Sequence, residues 1–261
     1  MRSRRLTAVL LLGAALVALS GGAAGAYSPT VVPIGFPPLE VNGGFKPTRL
    51  PKGKLGSIGL ELEGNVGAAD DGHLPTLEQL VVNTDRNVVV DAKGLPSCKT
   101  GKIVGPDIVP PSKGGCKTAR IGEGEVEFEV KFPESEPFLT TGHAIAINGG
   151  VEDGVTTIFV YAYLSNPVLA ATITVVKITK LRGGPNGARW TATIPVVAGG
   201  SGSLKKFQLE LFRQFTYRGK RKSYLSARCA TGKLSAHWEA KFADSATGAS
   251  GAFARPCTPK G

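Results

Sequence analysis

From residue 56 onward, apolar side chains recur at every second position in short runs, and glycine, proline or asparagine separates the runs. Ile58, Leu60 and Leu62 alternate with Gly59, Glu61 and Glu63. Val126, Phe128, Val130 and Phe132 alternate with Glu125, Glu127, Glu129 and Lys131. A period of two puts one set of side chains on a buried face and the other in water, as in a half-buried strand. Val155 to Leu164 and Val168 to Leu181 are rich in Thr, Val and Ile, with Asn166-Pro167 as the turn between them. Strands are also expected over Arg189 to Val197, Phe207 to Tyr217, Ser223 to Cys229 and Leu234 to Phe242. Gly149-Gly150, Gly183-Gly184 and Gly199-Gly200 punctuate them, and no segment sustains a helical period. The pattern predicts an all-β, antiparallel β-sandwich, as one large sandwich or two related sandwich-like units.

The first residues read as an address. Arg2, Arg4 and Arg5 precede an apolar run from Leu6 to Leu19, followed by the small-residue site Ala24-Gly25-Ala26. This is the layout of a secretory signal peptide, residues 1–26, with Tyr27 as the new N-terminus. The run is short for a bilayer span, and Asn166-Pro167 interrupts the other long apolar stretch. No apolar tail suggests a C-terminal anchor. Residues 27–55 carry Pro29, Pro33, Pro37, Pro38, Pro47 and Pro51 and are expected to form an extended arm, because proline lacks the N–H that a ladder needs.

Four cysteines, Cys98, Cys116, Cys229 and Cys257, lie beyond the signal. An even number in an exported chain reads as disulfides. Of three possible pairings the local one is expected, Cys98–Cys116 in a unit over 56–165 and Cys229–Cys257 in a unit over 166–261. Zinc is disfavoured, because no two cysteines lie at the two-to-four-residue spacing its sites prefer. Thr76-Leu77-Glu78-Gln79-Leu80 resembles Ser203-Leu204-Lys205-Lys206-Phe207, and Cys98-Lys99-Thr100-Gly101-Lys102-Ile103 resembles Cys229-Ala230-Thr231-Gly232-Lys233-Leu234. The same order in both halves suggests two related units.

Three segments carry a wider likeness: Ala92 to Cys98, Ile194 to Ser203 and Tyr224 to Cys229. In these the chain resembles a group of secreted, β-rich proteins of high-GC Gram-positive bacteria that have no assigned activity. The resemblance implies export and a β fold. It transfers no functional residue.

Catalytic patterns are scarce. His73, His143 and His237 stand apart, and Gly199-Gly200-Ser201-Gly202-Ser203 has the wrong register for a nucleophile elbow. No phosphate-binding glycine loop is present. Glu123, Glu125, Glu127 and Glu129 share one strand face, a spacing that suits glycoside hydrolysis but without the shielding that raises one pKa. They read better as a solvated face. Asp70-Asp71-Gly72-His73 offers oxygens for calcium, although a polar loop is the simpler reading. No catalytic residue, metal or other cofactor is assigned.

Charge is more informative. The chain holds 31 Lys plus Arg against 20 Asp plus Glu, a net +11. Residues 201–261 alone hold 12 basic and 3 acidic side chains, whereas residues 27–200 are nearly balanced. The excess peaks at Arg218, Lys220, Arg221 and Lys222, expected at a hairpin tip with Tyr217 and Tyr224 interleaved. Such a patch protects strand edges, attracts an anionic cell-envelope polymer, or binds a single-stranded nucleic acid, the last disfavoured by export. It also suits self-association with the glutamate face of a second copy. The expected function is an exported, non-catalytic structural or binding protein of the cell envelope or extracellular space. The alternative is a secreted hydrolase with its residues on scattered loops.

Overall fold

The computed structural model describes residues 39–68, 74–103, 116–166, 169–243 and 248–260. The expected signal peptide, the first part of the expected arm and the Asp70-to-His73 calcium candidate lie outside them. The regular structure of the described chain is almost all strand. Eleven strands form one antiparallel sheet: β1 (Leu39–Lys46), β2 (Gly59–Val66), β3 (Leu77–Asp85), β4 (Arg120–Val130), β5 (Phe138–Glu152), β6 (Val155–Asn166), β7 (Ala170–Lys180), β8 (Asn186–Thr193), β9 (Gly202–Leu211), β10 (Lys233–Phe242) and β11 (Ala249–Pro256). Their order across the sheet is β1-β2-β9-β4-β5-β6-β7-β8-β3-β10-β11.

This sheet curls until its two edges meet. β1 and β11 share no ladder of hydrogen bonds, yet Phe253 of β11 packs on Gly43 of β1, where an added Cβ would stand 2.8 Å from the ring. Arg255 of β11 donates to the Asn42 side-chain carbonyl of β1. The fold is therefore a nearly closed barrel, in which one sheet supplies both of the layers expected of a sandwich. The alternation explains which way each strand faces. Leu39, Val41 and Phe45 of β1 are buried, as are Leu234, Ala236, Trp238, Ala240 and Phe242 of β10, and all belong to one core.

Two expectations are corrected here. The arm does not run to residue 55: β1 pairs with β2 from Leu39↔Val66 to Lys46↔Gly59, and Arg49–Pro51 pairs in parallel with Thr258–Lys260. Nor are 56–165 and 166–261 separate units. β9, from the second half, lies between β2 and β4, and β3, from the first, lies between β8 and β10.

The interlacing has a rule. In the sheet order, strands β1 to β5 take the same relative places as β7 to β11, six positions away around the barrel. Register supports the match in detail. Facing β10, strand β3 carries one extra residue, Glu78; facing β4, strand β9 carries one extra residue, Lys205. Each bulge residue makes an ion pair with the partner strand, Glu78 with Lys241 at 2.7 Å and Lys205 with Glu127 at 3.0 Å, so the charges are exchanged. Thr76 and Ser203, the first residues of the similar segments, share a hydrogen bond of 3.4 Å between their hydroxyls. Strand β6 has no counterpart: among the described residues nothing stands between β11 and β1, and the seam marks that place.

One mouth of the barrel is covered. Leu225–Ala227 pairs with Val88–Val90 on one side and Gly56–Ser57 on the other, and Tyr224, Leu225 and Ala227 are fully buried. Cys229–Cys257 ties this cover to the end of β11. Cys98–Cys116 fixes a short helix, Thr100–Ile103, and a single helical turn, Lys117–Ala119, over the outside of β5 and β6, where Ile147 and Tyr161 form a second small core. Both pairings are the local ones expected, and two disulfides suit an oxidising environment. Among the described residues no helix is long and apolar enough to cross a membrane.

Candidate functional site

Eight strands enclose a space that side chains just fill, and more strands widen it. Eleven strands here leave a cavity of about 160 Å³ in the barrel interior. Leu62, Val126, Phe128, Trp190, Phe207 and Leu209 form much of its wall. Small residues at inward positions, Gly43, Ala144, Ala162 and Ala192, leave the room unfilled. The polar exceptions are few. Trp190 Nε1 donates to Thr84 Oγ1 at 3.2 Å, so both polar atoms are satisfied. Glu61 and Arg255 are the charged residues in the lining. Glu61 is held by Lys46 on the outside of the barrel. An apolar cavity near this size stays dry and accepts a benzene-sized molecule in an engineered protein.

The outer face is charged where β4 meets β9 and apolar over β5 and β6. Glu125 and Glu127 point outward from β4 beside Lys205 and Lys206 of β9. The glutamate row lies on one outer face, as its spacing implies, but Glu123 is paired with Arg120 and Glu127 with Lys205. No two of these carboxyls face each other across a cleft. His143 sits opposite Glu125 on the same outer surface, and His237 is exposed on β10. Among the described residues no group of three His, Cys, Asp or Glu side chains is placed to hold a metal ion.

The basic hairpin exists as expected in outline. Gln214–Tyr217 pairs with Lys220–Ser223, and Arg218 and Gly219 both have positive φ, 51° and 72°, as a two-residue type I′ turn requires. The expected strand from Phe207 to Tyr217 is broken at Phe212 and Arg213, where β9 ends and the hairpin begins. Its residues do not act together. Arg218, Lys220 and Arg221 are exposed. Lys222 instead bonds Asp91 at 2.7 Å. Burial works against the Asp91 carboxylate, but the bonds from Lys222 and the Lys93 backbone outweigh it and hold its pKa below the usual value. Tyr217 lies over Gly94, whose φ of 90° and missing side chain admit the ring, and the cations of Arg218 and Lys222 stand 5.3 and 5.4 Å from its ring centre. Tyr224 is corrected as a surface residue: it is 0 % exposed, within the cover of the barrel. Burial pushes its hydroxyl pKa far up.

Sequence reasoning missed the cavity. The alternation does say which side chains face inward, and small residues among them are the available signal. Whether they leave a space depends on how many strands surround them, which no single strand records. No family model, curated protein or solved structure matches this chain.

Proposed function

We propose that this protein is an exported, non-catalytic binding protein of the cell envelope or extracellular space, and that it holds a small apolar molecule inside its barrel. The observation that carries this reading is the cavity of about 160 Å³ with an almost wholly apolar wall. Water gains little from such a wall, whereas an apolar ligand exchanges hydration for close contact. Export is supported by the charged, apolar and small-residue order of residues 1–26 and by the two disulfides.

Trp190 gives the test its reporter. The chain has two tryptophans, so a Trp238→Phe variant leaves Trp190 alone in the cavity wall. Titration with toluene is expected to change its emission saturably. Ala192→Phe, which fills the space next to Trp190, is expected to abolish the change while the fold persists by circular dichroism. No saturable change in the parent, or an equal change after filling, refutes the reading.

A second reading concerns the hairpin. Arg218, Lys220 and Arg221 have no carboxylate within ion-pair distance among the described residues, which supports contact with an anionic envelope polymer. Replacing the three with Ser should reduce binding to cell-wall material at low salt. Unchanged binding refutes it, and physiological salt should weaken any such contact in the parent.

A further inference from the structure

The seam between β1 and β11 is unlike every other wall of the barrel. Elsewhere neighbouring strands are joined by backbone hydrogen bonds, and here only side chains meet. The cavity reaches this seam, since Gly43, Gly44, Phe253 and Arg255 are among its lining. Along β1 and β11 themselves no ladder closes the seam: Phe253 on Gly43 and Arg255 on Asn42 hold it, and only beyond the strand ends do Arg49–Pro51 and Thr258–Lys260 pair.

Arg255 is the one cation in the cavity lining among the described residues, and no carboxylate lies within ion-pair distance of it there. Its Nη atoms donate to two neutral acceptors, the Asn42 side-chain oxygen and the Ala254 carbonyl. Its charge otherwise rests over the Phe253 ring at 5.9 Å. A guanidinium has five N–H donors in a planar fork that matches a carboxylate or phosphate with two parallel bonds. A half-buried arginine without a counter-charge is costly in a wall that is otherwise apolar. Glu61 does not neutralise it, being engaged by Lys46.

We infer that the ligand is an amphiphile with one anionic head group, its apolar tail inside the barrel and its head at Arg255 in the β1–β11 seam. This inference rests on the cavity reading and names the class of molecule that the cavity takes. The tail is bound by area, without direction. The head supplies orientation, through a charge-assisted pair at the edge of water. A short fatty carboxylate is the simplest member of the class.

The experiment compares three probes of equal chain length, octanoate, 1-octanol and octylammonium, by Trp190 emission in the Trp238→Phe background. Octanoate is expected to bind at least tenfold more tightly than 1-octanol, with octylammonium weakest. Arg255→Met is expected to remove the preference for octanoate while leaving 1-octanol affinity within about twofold, and Arg255→Lys to restore part of it. Equal affinity of octanoate and 1-octanol in the parent overturns the head-group assignment and leaves the cavity reading standing. That comparison needs no variant, so misfolding of Arg255→Met does not blunt it. If none of the probes changes Trp190 emission, and toluene does not either, the cavity reading itself fails.

Discussion

At the scale of single residues, glycines opposite aromatic rings shape the barrel wall. Phe207 of β9 covers Gly64 of its paired strand β2, and Trp238 of β10 covers Gly251 of β11. Phe253 over Gly43 repeats the arrangement where no ladder exists. Sequence alone does not mark these glycines as sites under a ring, because each ring comes from another strand whose place the local pattern does not record. Tyr224 was equally illegible. Beside Lys222 in sequence it reads as part of a basic, aromatic surface, but the hairpin turns Lys222 outward to Asp91 and Tyr224 inward. Its hydroxyl is buried with no hydrogen-bond partner. An unsatisfied buried hydroxyl costs on the order of 1–3 kcal/mol. Tyr224→Phe is therefore expected to raise stability by about 1 kcal/mol in urea unfolding, with no effect on any charged ligand. A loss of stability would mean that the hydroxyl is satisfied in solution.

At the scale of elements, the paired bulges are the most specific feature. An extra residue interrupts the register of β3 against β10 at Glu78 and of β9 against β4 at Lys205, and the adjoining ion pairs carry exchanged charges. The likeness of Thr76–Leu80 to Ser203–Phe207 was readable in sequence as two similar strands. Their separation onto opposite parts of the same barrel was not, since local patterns carry no record of which strands become neighbours. Exposed ion pairs are worth about 0.2–1 kcal/mol. Glu78→Lys and Lys241→Glu should each destabilise, and the double exchange should recover most of the loss. The Lys205–Glu127 pair is less exposed, 35 and 27 % against 68 and 41 % for Lys241–Glu78. Its coupling energy in a double-mutant cycle should be larger and should fall less with added salt. Equal coupling with equal salt dependence would contradict this.

At the scale of the whole molecule, closure depends on what holds the edge strands. The all-β class and both disulfides followed from the two-residue period and from cysteine spacing. The barrel did not, because curling one sheet or stacking two satisfies the same alternation. Cys229–Cys257 closes a loop of 28 residues by sequence separation and joins the barrel cover to the chain leaving β11. Replacing both cysteines with Ala should cost about 3–4 kcal/mol in the chain-entropy model, and should speed amide exchange first in β11 and β1. Exchange that rises first in the central strands β5 and β6 would contradict the seam as the weak wall. Binding in the barrel interior is tested most directly by locating a bound molecule. Nuclear Overhauser effects from toluene are expected to the Trp190 ring and to the methyl groups of Leu62, Val126 and Leu209, which line the cavity on different strands. Effects confined to outward-facing side chains, or none at saturating toluene, would contradict it.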